Sequence, residues 1–372
     1  MTIGASSTAT TRLDHIRANL AAVRARVGDR LVLAAVKADA YGHGAVEVGR
    51  MIERTRAADW LGVATVGEGL ELRAAGITLP ILKLSVARGD EVTAAVRAGL
   101  TLTVTDAASI QEAGTAASGG TTASVHLKVD TGMRRIGCEP AEAPGLAALA
   151  DTTPGVRLDG LFSHLPISDS PRGDDFTKTQ VELFRATAEQ VEQARGPLLK
   201  HLANSGAVLG HPDAWLDLVR PGIMIYGAYP DPEAQRTVPL LPALEWRTRV
   251  TFIKRVRAGE TVGYGRTWTA PSDTWIATVP IGYGDGYSRL LSNRGRMLVG
   301  GRSYPIAGRV CMDQTMLDLG PSTDVAVGDE VVLVGRSGEE EITTTEIAAL
   351  MDTIPYERSE EHTSELQSRG LI

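Results

Sequence analysis

The sequence predicts an α/β fold, a (β/α)8 barrel followed by a C-terminal mainly-β domain. Over the first part of the chain, short apolar runs alternate with helix-like segments, which is typical of parallel strands joined by right-handed crossovers. Eight such runs occur before about Leu240, and eight strands suit a closed barrel. Beyond that point, strand-like segments follow one another with glycine-rich turns between them. The 372 residues suffice for a barrel and a smaller domain.

The first predicted helix runs from about Thr11 to Val27, and it is followed by apolar runs that suit strands buried on both faces of a parallel sheet. The apolar stripe of the helix recurs at spacings of three and four residues, at Leu13, Ile16, Leu20 and Val23. The eight runs are Leu31–Val36, Leu61–Val66, Ile81–Leu84, Leu100–Val104, Val125–Val129, Leu158–Phe162, Leu199–Ala203 and Leu216–Val219. A doubly wound sheet is the alternative to a TIM-type barrel, because alternation alone does not determine whether the sheet closes.

The C-terminal part of the chain is predicted to be a separate mainly-β domain. Its predicted strands are Trp246–Val256, Thr274–Ile281, Arg296–Val299, Tyr304–Ile306 and Asp329–Val334. Helical periodicity returns only at Thr344–Met351. The proline-containing stretch Pro230–Pro242 marks the boundary, so we assign residues 11–240 to the barrel and residues 241–357 to the β domain.

The last residues do not continue the β domain. From Arg358 onward the string RSEEHTSELQS has no apolar period, and it matches the translation of a common short-read sequencing adapter. We therefore expect residues 358–372 to be a non-native tail that stands in place of the native end. Finding these codons in genomic DNA at the 3′ end of the gene would contradict this expectation.

Composition and charge exclude several classes of function. The net charge of −7 argues against a nucleic-acid partner, because a phosphate backbone requires a basic surface. Two cysteines, Cys138 and Cys311, cannot form a disulfide framework, and no CxxC, HExxH or calcium-loop spacing indicates a metal site. No stretch approaches the roughly 18 consecutive apolar residues of a membrane-spanning helix, and Met1–Thr11 lacks the pattern of a signal peptide. We expect a cytoplasmic protein without a metal ion.

One lysine lies where a barrel places reactive groups. Lys37 directly follows the run Leu31–Val36, and the carboxyl ends of barrel strands carry the reactive side chains in this architecture. An isolated lysine there would most simply cap a strand at the surface. The surrounding string VKADAYGHG (Val36–Gly44), however, resembles the cofactor-lysine motif of the alanine racemase family. Further strings occur in the order of that family: HLKVDTGMRRIG (His126–Gly137), FSH (Phe162–His164), HLANS (His201–Ser205), VRPGIMIYG (Val219–Gly227), GYGRTW (Gly263–Trp268), IGYGDGY (Ile281–Tyr287), GRVCMDQ (Gly308–Gln314) and TIPYE (Thr353–Glu357).

The resemblance covers residues 31–357. It implies an enzyme that uses pyridoxal 5′-phosphate (PLP) to interconvert L-alanine and D-alanine and so supplies D-alanine for peptidoglycan. It also implies that Lys37 carries PLP as an imine. Family members begin with a short strand, and the matching segment here, Ser6–Thr11, has only a weak strand pattern.

The residues after the last two barrel strands suit a phosphate site. Ser205 follows the seventh run, and Gly222 and Ile223 follow the eighth, at the loops where barrels of this kind bind phosphate. A serine hydroxyl can donate a hydrogen bond, and a glycine lets the backbone N–H approach an anion closely. The resemblance adds three further cofactor contacts, Tyr41, Asn204 and Tyr356.

By resemblance, Arg220 faces the pyridine nitrogen of PLP. Because arginine stays protonated, the ring nitrogen that it contacts stays unprotonated. The carbanion at Cα is then less delocalised and short-lived, which suppresses transamination. A salt bridge at the barrel rim would explain the residue type but not its place in VRPGIMIYG.

Racemisation needs an acid/base on each face of Cα. The resemblance implies Lys37 as the base for D-alanine and Tyr264, in GYGRTW, as the base for L-alanine. A phenol acts as a base only where nearby cations favour the phenolate, and His164 and Arg220 are the implied neighbours. In the family the tyrosine comes from the other subunit, so we expect a homodimer with shared active sites.

Substrate contacts are implied in both domains. Arg135, in TGMRRIG, is expected to bind the substrate carboxylate in two-point fashion, with Arg134 as the alternative. Met312 is implied to offer its backbone N–H, and Tyr283 to narrow the entrance so that a methyl side chain is favoured. Asp313 is expected to be an interface or rim residue.

Lys128 is predicted to be buried at the barrel end. It lies between Leu127 and Val129 on an alternating strand, and an unpaired ammonium there is costly. Some family members carry a carbamate on the matching lysine, which would orient Arg135. An ion pair with Asp130 or another carboxylate is the alternative.

Three other functions compete with alanine racemisation. Another barrel-type PLP enzyme, such as a decarboxylase or a broad-specificity racemase, would share Lys37 but lack Tyr264 in its context. A non-catalytic PLP-binding protein would consist of the barrel alone. A chain damaged at its end would have no activity.

Overall fold

The structure, a computed structural model, describes residues 7–117 and 120–355. The chain divides into two units, Leu13–Leu241 on one side and Met1–Arg12 with Pro242–Ile372 on the other. Tyr356 and the predicted tail at residues 358–372 lie outside the described residues.

The unit Leu13–Leu241 is a closed barrel of eight parallel strands, which confirms the predicted fold class and rules out a doubly wound sheet. Strand β1 (Ser7–Thr11) precedes the barrel and belongs to the other unit. The barrel strands are β2 (Leu31–Ala35), β3 (Trp60–Val63), β4 (Ile81–Val86), β5 (Thr101–Val104), β6 (Ala123–Lys128), β7 (Val156–Phe162), β8 (Leu199–His201) and β9 (Leu218–Val219). β9 pairs with β2, with Leu218 beside Leu31, and this pairing closes the sheet.

Helices alternate with these strands as the apolar periodicity predicted. They are α1 (Leu13–Val27), α2 (Lys37–Gly42), α3 (Ala45–Thr55), α4 (Val66–Ala74), α5 (Asp90–Arg97), α6 (Ala107–Ala116), α7 (Ala143–Thr152), α8 (Asp174–Arg195) and α9 (Ser205–Gly210). The short element α2 is a turn with left-handed φ and ψ angles at Ala38–Tyr41. The stripe Ile16, Leu20 and Val23 of α1 is fully buried. Thr65 caps the start of α4, and its hydroxyl accepts a hydrogen bond from the Glu68 N–H at 3.2 Å. None of the described helices has both the length and the apolar character needed to cross a membrane.

Side chains fill the barrel lumen. Leu33, Leu82 and Leu218, from three different strands, form one fully buried cluster. A Cβ atom at Gly62 would lie 2.5 Å from Leu33 Cδ2, so this glycine leaves the space that the leucine occupies. The barrel is therefore a packed core, and its chemistry is confined to one rim.

The second unit is mainly β, as predicted. After β1 its strands are β10 (Leu244–Arg249), β11 (Phe252–Val256), β12 (Thr261–Val262), β13 (Trp268–Thr269), β14 (Thr274–Val279), β15 (Arg296–Val299), β16 (Arg302–Pro305), β17 (Thr315–Gly320), β18 (Glu330–Ser337) and β19 (Glu340–Ile342), followed by helix α10 (Thr344–Leu350). The largest sheet has the order β1-β10-β18-β15-β16, with β19 paired to β18. β11-β14-β17 and β12-β13 form two smaller sheets.

The weak N-terminal segment is a regular strand. β1 pairs antiparallel with β10, so that Ala9 lies opposite Trp246, and the Trp246 ring is fully buried. The strand conformation of this segment is therefore explained by its pairing with β10 rather than by its own polar sequence.

One strand prediction in this unit was wrong, and several strands were not predicted. The single strand predicted at Trp246–Val256 is two strands in different sheets, because Val250 turns away to exchange backbone hydrogen bonds with Gly328 and Asp329 at 2.8 and 2.9 Å. The short strands β12, β13 and β19 were not predicted, and neither was β17, although its residues alternate between buried and partly buried positions.

Candidate active site

Lys37 stands directly after the first barrel strand and begins a turn with an unusual backbone. The four residues after it, Ala38–Tyr41, have φ angles of 49 to 57°. L-amino acids rarely adopt this left-handed conformation, because Cβ then approaches the following carbonyl oxygen. The carboxylate of Glu68 accepts a hydrogen bond from the Ala38 N–H at 2.7 Å and helps to hold the turn. The turn places Lys37 Nζ 5.4 Å from the centre of the Tyr41 ring.

Three of the predicted cofactor contacts meet at one small concavity. Ser205 Oγ accepts a hydrogen bond from the Gly222 N–H at 2.9 Å. A Cβ atom at Gly222 would lie 2.5 Å from the Tyr41 hydroxyl, so only glycine leaves room between that hydroxyl and the backbone. Tyr41 and Ser205 are both buried. The hydroxyls of Tyr41 and Ser205 are donors that fit a phosphate group, and Gly222 leaves the space beside them free of a side chain.

Two other predicted cofactor contacts shape the same loops. The Asn204 side chain caps α9: its Oδ1 accepts from the Ala207 N–H at 3.1 Å, and its Nδ2 donates to the Leu165 carbonyl at 2.9 Å. Its side chain therefore positions Ser205, the first residue of α9. Ile223 is buried and begins a single 3-10 turn after Gly222.

Arg220 directly follows β9 and is buried. Both terminal nitrogens of its guanidinium, Nη1 and Nη2, have hydrogen-bond partners. Nη1 lies 2.8 Å from His201 Nδ1, and Nη2 donates to the carbonyls of Ser163 and Leu202 at 2.7 and 3.1 Å. Burial lowers the pKa of Arg220 to about 9. The guanidinium therefore keeps its charge at neutral pH, as the predicted role requires.

A pair of buried histidines extends from Arg220 into the barrel. Arginine has donors only, so His201 Nδ1 must accept, and His201 Nε2 then donates to His126 Nδ1 at 2.8 Å. Burial lowers the pKa of His126 to about 4 and that of His201 well below its usual value. Both rings are thus neutral, and the positive charge stays on Arg220. Sequence reasoning missed this relay, although two histidines on apolar strands were the available signal.

Four predicted cations surround His164. Its Nδ1 lies 3.4 Å from Arg220 Nη2. Burial and then the charges of Arg220, Lys128, Arg135 and Lys37 hold the pKa of His164 well below its usual value. Such a concentration of positive charge at the barrel rim suits an anionic ligand.

Lys128 is buried as predicted, and the alternative of an ion pair with Asp130 is not formed. The carboxylate of Asp130 instead accepts hydrogen bonds from the N–H groups of Gly132 and Arg134, at 2.8 and 3.1 Å. Lys128 Nζ lies 3.5 Å from the Leu84 carbonyl oxygen. Burial is the largest cause that lowers the pKa of Lys128 to about 7, so a large fraction of this amine is neutral at neutral pH.

The structure distinguishes the two adjacent arginines. Arg134 forms an ion pair with Glu139 at 2.6 Å. Arg135 is exposed and pairs with no carboxylate among the described residues. Together with Lys128 and His164 it lines a crevice at the barrel rim. Arg134 thus has a carboxylate partner, whereas Arg135 has none among the residues that the structure describes.

The remaining predicted residues lie in the second unit and are exposed. The exposed fractions are 72% for Tyr264, 52% for Met312 and 40% for Tyr283, and Asp313 is exposed beside Met312. Two backbone hydrogen bonds of 2.9 Å join Tyr283 to Cys311 and Gly284 to Met312, so these two segments form one surface. Large exposed apolar side chains grouped in this way are typical of a surface used for binding.

Asn293 connects the Tyr264 turn to the Met312 segment, a role that the sequence did not reveal. Its side chain accepts from the Gly308 N–H at 2.7 Å and donates to the Thr267 hydroxyl at 3.2 Å. Its own φ angle is 58°, which asparagine tolerates better than most residues.

Comparisons with known proteins agree with the motif resemblance. The model of the alanine racemase N-terminal domain matches residues 11–230, and that of the C-terminal domain matches residues 243–369. The chain is 54% identical to the alanine racemase of Cutibacterium acnes over 347 residues, which cover 93% of this chain and 92% of the relative. It is 44% identical to the alanine racemase of Symbiobacterium thermophilum, again covering 93% and 92%.

Solved structures give the same result. The alanine racemase of Clostridium difficile superposes with a TM-score of 0.90 at 35% identity, covering 97% of this chain and 94% of that one. The alanine racemase of the D-cycloserine producer Streptomyces lavendulae has a TM-score of 0.89 at 37% identity, covering 97% and 96%. The resemblance inferred from the ordered motifs is confirmed, and the chain belongs to the alanine racemase family.

Proposed function

We propose that this protein interconverts L-alanine and D-alanine, with PLP bound covalently to Lys37. The observation that carries the proposal is the barrel rim. There the concavity of Tyr41, Ser205 and Gly222 fits a phosphate, and cationic side chains surround His164 beside it. The alanine racemase activity of the relatives gives the substrate.

PLP, when bound, withdraws electrons from the substrate Cα and makes its C–H bond acidic. In this proposal Tyr41, Ser205 and Gly222 hold the phosphate, together with Tyr356, Asn204 and Ile223. Arg220 donates to the ring nitrogen and keeps it unprotonated. The neutral pair of His201 and His126 supports this assignment. It leaves the positive charge on the Arg220 guanidinium and supplies no proton to the pyridine nitrogen.

Two bases move the proton across the substrate. Lys37 takes the Cα proton of D-alanine at its amine, and Tyr264 takes that of L-alanine at its phenolic oxygen. A phenolate needs cationic neighbours, and we assign that role to Arg220 acting through His164, whose Nδ1 lies 3.4 Å from Arg220 Nη2.

Arg135 binds the substrate carboxylate, with the Met312 N–H as a second contact and Tyr283 as the limit on side-chain size. The pairing of Arg134 with Glu139 supports the choice of Arg135. We also propose that Lys128 is carbamylated: its neutral amine adds to CO2, forms an N–C bond and releases one proton. The low pKa of Lys128 supports this step, and the resulting anion would sit in the same crevice as Arg135.

We further propose a homodimer in which each active site takes Tyr264 from the partner subunit. The 72% exposed fraction of Tyr264 in the single chain supports this arrangement. Mixing dissociated Lys37→Ala and Tyr264→Phe subunits tests it, because one site of each mixed dimer would regain both bases. Activity should return to about one quarter of the wild-type value after random mixing. No recovery would place both bases in one subunit.

Incubation of the purified protein and PLP with L-alanine in heavy water tests the function. D-alanine labelled at Cα is the expected product. Release of carbon dioxide would instead indicate a decarboxylase, and PLP binding without exchange would indicate a non-catalytic protein. We place the reaction in the cytoplasm and its product in peptidoglycan synthesis. The two unpaired cysteines, Cys138 and Cys311, suit a reducing compartment.

A further inference from the structure

The left-handed turn after Lys37 requires interactions that stabilise its strained backbone. Four consecutive non-glycine residues, Ala38–Tyr41, have positive φ angles. Each of them costs free energy relative to right-handed backbone, and such a conformation persists only where its surroundings over-determine it. The turn carries both Lys37 and Tyr41, so its geometry controls two of the groups assigned to the cofactor.

His43 closes this turn from within. Its Nδ1 lies 2.8 Å from the Tyr41 carbonyl oxygen and 3.1 Å from the Ala40 carbonyl oxygen. Both partners are acceptors only, so Nδ1 must carry the proton. His43 Nε2 is buried and has no hydrogen-bond partner. Only one ring nitrogen, Nδ1, therefore forms hydrogen bonds to the turn.

The His43 ring is itself fixed by packing. It stacks on Tyr226 with 4.6 Å between ring centres and 25° between planes. The Tyr226 hydroxyl donates to the Ala35 carbonyl in β2 at 2.8 Å, which ties the stack to the barrel. Burial lowers the pKa of His43 to about 4, so the ring is neutral and keeps one donor and one acceptor at physiological pH.

We propose that His43 is a positioning residue for the cofactor site: its Nδ1–H fixes the left-handed turn and so holds the Tyr41 hydroxyl against Gly222. The proposal rests on the proposed PLP binding, and it assigns part of the PLP affinity to a residue that does not contact the phosphate concavity. The donor is essential rather than the ring, because without it the Tyr41 carbonyl oxygen loses its hydrogen bond, whereas the Ala40 carbonyl oxygen also accepts from the His43 backbone N–H at 3.1 Å.

A matched pair of variants separates the donor from the ring. In His43→Asn the amide nitrogen can donate a hydrogen bond in place of Nδ1. Leucine has nearly the same shape as asparagine but no donor, so His43→Leu lacks that bond. Both variants lose the ring that stacks on Tyr226. The dissociation constant for PLP is measured on the apoenzyme by absorbance titration. We expect His43→Leu to bind PLP about ten-fold more weakly than His43→Asn. Equal affinities of the two variants would overturn the proposal.

A second measurement does not depend on how the variants fold. The 15N chemical shifts of His43 in the histidine-labelled wild-type chain should show a neutral ring protonated at Nδ1 from pH 6 to pH 8. A ring protonated at Nε2 would contradict the positioning role even if PLP binds. A wild-type protein that binds no PLP would instead overturn the proposed function, and this inference with it.

Discussion

Replacing Gly222 by alanine should damage the cofactor site more than the fold. The new Cβ atom would lie 2.5 Å from the Tyr41 hydroxyl and 3.2 Å from Tyr41 Cζ. The Tyr41 ring cannot yield freely, because it is buried and lies 5.0 Å from the Tyr226 ring centre. Overpacking of this kind costs about 1–3 kcal/mol of stability. Displacing the hydroxyl also removes a hydrogen bond to a charged group, worth about 1.5–3 kcal/mol, so PLP should bind roughly 10- to 100-fold more weakly.

The assay is an absorbance titration of the apoenzyme with PLP, combined with thermal unfolding. Gly145→Ala is the matched control, because a Cβ atom there meets nothing within 4 Å and the residue lies in helix α7. It should leave PLP affinity unchanged and not reduce stability. The double variant Gly222→Ala/Tyr41→Phe should recover stability but not affinity. Wild-type affinity in Gly222→Ala would refute the assignment of the phosphate to this concavity.

The other predictions concern the two bases, the carboxylate site and the buried lysine. Tyr264→Phe should block Cα proton exchange from L-alanine more than from D-alanine, and undiminished L-side exchange would reject the two-base assignment. Arg135→Ala should lower kcat/KM about 100-fold by removing a charge-assisted pair worth about 3 kcal/mol, whereas Arg134→Ala should change it less than three-fold. For Lys128 the pKa is lowered on folding from 10.5 to about 7, so the unfolded chain binds more protons between these values. We therefore compare the free energy of unfolding of the wild type with that of Lys128→Met in CO2-free buffer. The difference should rise in favour of the wild type from about pH 7 to 10, by at most about 1.4 kcal/mol per pH unit. A difference that does not change with pH would show that Lys128 titrates normally.

The arrangement of the barrel followed from the sequence because its signal is local. Most barrel strands contain a short apolar run, and the α1 stripe repeats at helical spacing, so burial is encoded within a few residues. The second unit was less predictable. β1 and the break at Val250 depend on partner strands distant in the chain, and β17 is partly polar.

The site residues divide in the same way. Lys37, Ser205 and Gly222 could be proposed from the sequence because the ends of barrel strands are visible there and the surrounding motifs resemble those of a known family. Asn293 was not found, because its role lies in hydrogen bonds to Thr267 and Gly308, and these have no local pattern.

For Lys37, the sequence alone determined its place at the end of an apolar strand and its family motif. Only the tertiary structure decided that it begins a left-handed turn in which His43 Nδ1 bonds to the Tyr41 carbonyl oxygen. It also decided that, within the described part of the chain, Arg134 has a carboxylate partner and Arg135 has none. The physical reason is the range of the interactions. Apolar periodicity is set by neighbours in the chain, whereas backbone strain, tautomers and charge pairing are set by neighbours in space.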